Sequence, residues 1–396
     1  MLACPYCYNR FVEKDIWFRC TGQPARGGPG CPSEPDQHLI SWLSYAAPLP
    51  PAFRADGRRL RATCPTCRGE STHRLCPHCH SRLPVHFGKV DNRLIAMIGA
   101  KQSGKTVFMT VLIHELMHRV GRILDAAIVG SDDETRRSFD RDYDHRLYQE
   151  HSLPPATLPV PARTRRRPLV FRLTLRRKRF GQIRERHTIL SFFDTAGEDL
   201  TTSENVELNV RYLSSADGII LVLDPLQMPG ARAQSLPGTV LPDPGRGGFD
   251  RPFDVLTRVT ELLREKLNDP TEKIDTPMAV VFSKLDALEH TFAPGSPLTR
   301  PPLPLAEFDV ADSLAVHDQV QALLEDWDGP RIDQLMRHHY AYFRYFGISA
   351  LGSPPVDPST VAEVRPQRAH DPFFWLLTRF GTISTTPSAS SVFSRS

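Results

Sequence analysis

The stretch GAKQSGKT, Gly99 to Thr106, limits the fold more than any other feature of the chain. It stands between an apolar run, RLIAMI at 93–98, and an amphipathic run, VFMTVLIHELMHRV at 107–120. Glycine at Gly99 and Gly104 lets the backbone turn its N–H groups toward an anion, and a helix starting just beyond would aim its positive end at the same point. Strand, glycine loop and helix in this order make a phosphate cradle. Ala100, Lys101, Gln102 and Ser103 form its rim. Lys105 neutralises the β- and γ-phosphates, and the Thr106 hydroxyl faces Mg²⁺.

The flanking sequence alternates short apolar strands with helical periods. RLIAMI, PLVFRLTL, RHTILSFF, GIILVL, MAVVFS and YAYFRYFGI read as strands. VFMTVLIHELMHRV, NVELNVRYLSS, FDVLTRVTELLREKL and DPFFWLLTRF read as helices. The order predicts an α/β domain with a mostly parallel sheet. One departure is expected, an antiparallel hairpin turning at Phe180-Gly181. Two Pro-rich segments, 131–168 and 225–252, are too long for ordinary connections.

Three further stations follow strand ends. DTAGED closes RHTILSFF: Asp194 can hold the Mg²⁺ shell, and Gly197 can offer its N–H to a γ-phosphate. SKLD follows MAVVF. The Asp286 carboxylate there can accept from the ring N–H and amino group of guanine, while Lys284 lays its stem along the base. Ser349-Ala350-Leu351 follows the last strand, where a backbone N–H can reach the guanine carbonyl.

These stations, in this order, resemble the nucleotide site of Ras-like P-loop GTPases of the translation-factor-related class, over residues 90–381. The resemblance implies GTP/GDP and Mg²⁺ as ligands. Lys105 and Thr106 then bind phosphate and metal, Asp194 and Gly197 sense the γ-phosphate, Ser283, Lys284 and Asp286 read guanine, and Ser349, Ala350 and Leu351 support the base. It also implies a first-switch Thr between Thr106 and Asp194, for which Thr157 and Thr164 are candidates. Pro154 and Pro155 favour Thr157. Three departures bear on chemistry. Ser283 replaces the usual Asn or Thr. Glu198 stands where a water-orienting Gln is common, with its charge near the γ-phosphate. Lys101 lies inside the loop, either as an internal cation or, more simply, as a solvated side chain.

All eight cysteines precede residue 80. Cys64, Cys67, Cys76 and Cys79 form two Cys-x-x-Cys knuckles that resemble a zinc ribbon. Cys4, Cys7, Cys20 and Cys31 form a looser second set, in which His38 could replace a ligand. Two structural Zn²⁺ ions are expected, with His73, His78 and His80 solvated. The domain reading is therefore a zinc-binding region at 1–85, a GTPase domain at 90–381 and a disordered tail at 382–396.

No apolar run approaches a bilayer-spanning length and no secretory signal opens the chain, so a reducing, cytoplasmic setting is expected. Between Arg163 and Arg186 eleven residues are basic and only Glu185 is acidic. Nucleic acid is a conceivable partner for this hairpin, but Arg outnumbers Lys 41 to eight across the chain, so the bias is not local. Arg172 and Arg176 should face away from Phe171, Leu173 and Leu175. The zinc fusion most resembles the bacterial double-GTPase type. That resemblance implies a GTP-hydrolysing switch in signalling or defence, with a protein partner bound through the zinc region or switch loops. The alternatives are a GTP-loaded scaffold with negligible turnover, which Glu198 motivates, and a nucleic-acid-associated NTPase.

Overall fold

A computed structural model of the chain describes residues 1–386, except 26, 44–45, 90–91, 155–166, 180–181, 193–202, 238, 243–250, 266, 268, 302–306, 328–330 and 358. Its centre is a seven-stranded sheet. The strands are β1 (Asn92–Gly99), β2 (Ala126–Gly130), β3 (Leu169–Arg179), β4 (Gln182–Phe192), β5 (Gly218–Leu223), β6 (Met278–Phe282) and β7 (Phe343–Gly347). Their order is β7-β6-β5-β1-β4-β3-β2. The five strands from β7 to β4 are parallel, with Ile220 beside Met97 and Val280 beside Tyr345. β3 pairs antiparallel with β4 and with β2, as the hairpin reading requires. The Phe180-Gly181 turn itself lies outside the described residues.

The central strands are apolar on both faces because helices cover both. α1 (Lys105–Glu115) and α7 (Asp371–Arg379) pack with Ile95, Met97, Ile220 and Val222. α3 (Ser203–Ser215), α4 (Pro252–Arg264), α5 (Val310–Trp327) and α6 (Arg331–His339) share the other core with Leu94, Ala96, Leu221 and Val280. On β3, Phe171, Leu173 and Leu175 are buried, whereas Arg172 is half-buried and Arg176 is exposed, in keeping with strand alternation.

The segment 131–168 contains more order than its composition suggests. Asp132 accepts from the Thr135 N–H at 2.8 Å and caps α2 (Asp133–Phe139). A π-helical turn, Asp140–Asp144, and a helical turn, His145–Tyr148, continue it. In 225–252, Pro225–Gln227 and Pro229–Gln234 are helical. The first residues of the 382–396 stretch are also packed. Thr382 and Ile383 are buried, and Phe308 exchanges backbone hydrogen bonds with Ser384 and Thr386. Residues 387–396 lie outside the described residues.

The cysteine-rich block shares a core with the sheet. Cys4, Tyr6, Tyr8, Cys76, Cys79 and Phe87 belong to the same buried cluster as Leu94, Ala96 and Ile98. Tyr8 Oη and Ser191 Oγ of β4 are 3.0 Å apart, and Ser191 Oγ donates to the Pro5 carbonyl at 2.8 Å. Ser215 Oγ donates to the Tyr8 carbonyl, and Tyr6 Oη donates to Asp132. Tyr212, in ring contact with Tyr8 at 4.7 Å, fills the point where β1 and β4 part. Its hydroxyl accepts from Met97 N–H at 2.8 Å and donates to the Ser191 carbonyl at 2.7 Å.

Candidate nucleotide site and cysteine clusters

The phosphate loop leaves β1 at the carboxyl edge of the parallel strands, where open α/β sheets place their ligands. Gly99 ends the strand, with its Cα against the Val222 carbonyl of β5, so close that a Cβ would overlap the backbone. Gly104 has φ 78° and opens α1. That left-handed conformation favours glycine.

Three successive loop carbonyls are held from outside. Gln227 Nε2 donates to the Lys101 carbonyl at 2.8 Å. Lys284 Nζ donates to the Gln102 carbonyl at 2.8 Å, and Ser283 Oγ donates to the Ser103 carbonyl at 2.7 Å. In a trans peptide the C=O and the next N–H point in opposite directions. Anchoring these carbonyls therefore turns the N–H groups of Gln102, Ser103 and Gly104 away from Gln227, Lys284 and Ser283. Ser103 N–H also makes a 3.3 Å contact with the Ala100 carbonyl across the turn. Ser103 Oγ is buried with no hydrogen-bond partner among the described residues. A phosphate oxygen would satisfy it.

The base-reading stations join this loop directly. Lys284 sits at φ 56°, and its ammonium also meets Asp224 Oδ2 at 2.6 Å. Asp224 is fully buried and caps the turn after β5 by accepting from Leu226 N–H. Burial raises the Asp286 carboxyl above its usual range, and a 2.5 Å hydrogen bond from Ser349 Oγ works against that rise. Ser349 Oγ also accepts from Gly352 N–H. Ala350 is buried and Leu351 half-buried. Gly99, Lys101–Thr106, Ser283, Lys284, Asp286 and Ser349–Leu351 thus share one edge. Asp194, Gly197, Glu198, Thr157 and Thr164 lie outside the described residues. The sequence reading passed over Asp224 and Gln227. Their signal was DPLQ directly after an apolar strand: an Asx cap followed by Pro at the first helical position.

All eight cysteines are buried and none is in a disulfide. They form two groups of four, but not the groups expected from sequence. Cys4 and Cys7 join Cys76 and Cys79, and Cys20 and Cys31 join Cys64 and Cys67. The cause is strand pairing. Trp17 pairs antiparallel with Leu75 and Phe18 with Arg74. An antiparallel pair brings residues before one strand beside residues after the other, so the sets nest. Facing Sγ atoms lie 3.5–3.9 Å apart. Four thiolates about 2.3 Å from one Zn²⁺ would have edges of about 3.8 Å. Backbone N–H groups of Tyr6, His78 and Gly22 reach Cys4, Cys76 and Cys20 sulfurs. Burial holds the Cys4 thiol well above its ordinary range, while hydrogen bonds from Cys4, Cys76 and Cys79 hold Cys7 well below.

No histidine joins either group. His80, expected to be solvated, is buried, with Nδ1 2.8 Å from Asp36, which Arg19 also pairs at 2.6 Å. His38 does not ligate; its ring contacts His80 at 4.2 Å.

Residues 93–327, more than half of the chain, match the model of the Double-GTPase 2 family. The chain belongs to that family. It is 26% identical over 419 residues to a Mycolicibacterium smegmatis protein named for ESX-1 scaffolding and assembly, SaeC, covering 97% of this chain and 100% of that one. Among solved structures, it is similar to the Arl6 BBS3 small GTPase of Trypanosoma brucei with a bound GppNp analogue, at 12% identity and TM-score 0.27, covering 74% and 100% of the two chains. It is similar to the GTPase-like domain of Ski7 from S. cerevisiae at 13% identity and TM-score 0.31, covering 74% of this chain and 51% of that one. Among the described residues no helix is long and apolar enough to cross a membrane.

Proposed function

We propose that the chain is a guanine-nucleotide-binding protein whose site is the edge that carries the phosphate loop. One observation carries this reading: the SKLD turn is hydrogen-bonded to the loop through Ser283 and Lys284 and to the Ser349 turn through the half-buried Asp286 carboxylate. Lys105 neutralises the β- and γ-phosphates. Thr106 and Asp194 hold Mg²⁺, which offsets charge on the phosphates. Gly197 and Thr157 belong to the two segments that respond to the γ-phosphate. Asp286 accepts from guanine, and Ala350 backs the base. Ser283, with its hydroxyl spent on the loop, acts as a positioner of the cradle. The two cysteine groups hold Zn²⁺ as structural ions, the outer one packed against the core of the 90–381 domain. A reducing, cytoplasmic setting suits thiols kept ready for metal.

The output we propose is a GTP-dependent switch, in bacterial signalling or defence, that hydrolyses its nucleotide with Glu198 beside the γ-phosphate. A second reading is favoured by one observation, the likeness to a relative named for scaffolding and assembly. In that reading GTP loading organises a binding surface for a protein partner and turnover is negligible. Titration with fluorescent GTP and ATP analogues tests the first claim. GTP should bind preferentially and Asp286→Ala should erase the preference; equal affinity for both nucleotides would overturn it. Single-turnover phosphate release then separates switch from scaffold.

A further inference from the structure

We propose a third metal site, independent of the cysteine clusters and of the nucleotide edge, formed by His114, His118 and Asp144. Each offers one ligand atom, and the three atoms lie within 4.8 Å of one another. His114 ends α1, and His118 follows four residues on, in a π-helical turn, Leu116–Val120. Asp144 closes the second π-helical turn, Asp140–Asp144. Positions i and i+4 share one helix face, so both imidazoles point the same way. π-helical turns are uncommon and concentrate at functional sites, and here two of them meet at one set of side chains.

The donor set is chemically coherent. Two imidazoles and one carboxylate with an open fourth position suit Zn²⁺ or another borderline divalent transition ion. His114 Nδ1 and Asp144 Oδ1 are 2.7 Å apart. Bonds of about 2.0 Å in a tetrahedron would set that edge near 3.3 Å, so small side-chain rotations admit the ion. The Tyr148 ring stacks on His114 at 3.5 Å and fixes its plane. Tyr148 Oη is buried without a hydrogen-bond partner among the described residues. His114 and Asp144 are each about one-fifth exposed and His118 is exposed, so the ion is reachable and exchangeable. HELMH also fits the H-E-x-x-H pattern of zinc-binding helices. Glu115, however, is nearly buried and paired with Arg119 at 3.3 Å. The assignment is therefore metal binding and not hydrolysis.

The ion would join two pieces that already meet through the His114–Asp144 pair. One is the far end of the helix that begins at Lys105. The other is the insert that leads into residues 155–166. α1 has 11 residues, so the site stands about 15 Å along its axis from the phosphate loop.

The test uses the full chain, loaded with Zn²⁺, dialysed and measured for bound metal by atomic emission. Wild type should hold one equivalent more than His118→Ala and one more than Asp144→Asn, with unchanged circular dichroism. His118 is exposed, so its variant reports binding without a folding defect. Loading with Co²⁺ should give thiolate charge-transfer bands of equal strength in all three proteins and lose only weaker d–d absorption in the variants. Equal metal content in wild type and both variants would overturn the site.

Discussion

Tyr8→Ala should destabilise the nucleotide-binding domain, although Tyr8 lies between two zinc-binding knuckle residues and the sheet. Tyr8 is 1% exposed. Its ring meets Tyr212, and its hydroxyl meets Ser191 on β4 at 3.0 Å. Truncating a buried aromatic to alanine costs about 3–5 kcal/mol. Tyr8→Phe removes the hydroxyl alone and should cost about 1 kcal/mol. Because the cavity opens against both the knuckle and β4, the loss should fall on both bodies together. Denaturant titration followed by two probes decides this: far-UV circular dichroism for the helices around the sheet, and a chromogenic chelator for released Zn²⁺. The two transitions should coincide in wild type, and both midpoints should move down in Tyr8→Ala. If zinc release shifts while the circular dichroism midpoint stays, the shared core does not couple the two and the reasoning fails.

Two other outcomes follow from the geometry. Gly99→Ala puts a methyl against the Val222 carbonyl and within 2.8 Å of Ser103 Oγ; overpacking of this kind costs about 1–3 kcal/mol of folding stability, so the denaturant midpoint should fall, and an unchanged midpoint would refute the close approach. His317 Nδ1 accepts from Tyr345 N–H at 3.0 Å, and burial, aided by Arg344, holds its pKa below the ordinary 6.5. The unfolded chain then binds more protons in that interval, so this contribution is complete above pH 6.5 and is lost as pH falls through the lowered folded value. Thermal melts across this range should show the slope, and His317→Phe should flatten it.

Much of the sheet was legible because its strands are bounded and apolar. GIILVL coincides with β5, and the RHTILSF part of RHTILSFF lies within β4. α2 was not legible. DDETRRSFDRDYDHRLY is so charged that its few buried positions, Thr135, Phe139 and Leu147, give no clear period, though the Asp132 cap was there to be read. β2 was hidden by its shortness and by its place at the sheet edge, where Val129 stays exposed. The eight cysteines that cluster were readable from spacing. Their grouping was not, because it depends on the pairing of Trp17 with Leu75, a contact that local pattern does not encode. At the candidate nucleotide edge the motifs picked out Lys101–Thr106, Ser283–Asp286 and Ser349–Leu351, which the fold brings to one edge, but the anchoring of the loop by Gln227 and Lys284 belongs to the meeting of three strand ends.

The nested cysteine pairing also has a temporal side. Chains emerge from the ribosome N-terminus first, at about 5–20 residues per second. Cys4 and Cys7 are made before the other six cysteines yet must wait for Cys76 and Cys79, whereas the inner quartet is complete as soon as Cys67 is out. The inner quartet can therefore close its loop first, and an ion bound there as proposed would bring residues 17–19 and 74–75 into register for the outer quartet. The outer knuckle then waits again, since its seat on Ser191 and Ser215 is made more than a hundred residues later. During that interval its aromatic face, Tyr6 and Tyr8, is uncovered. If the quartets hold Zn²⁺ as proposed, zinc supply and synthesis rate together would set how long the nascent chain presents that surface.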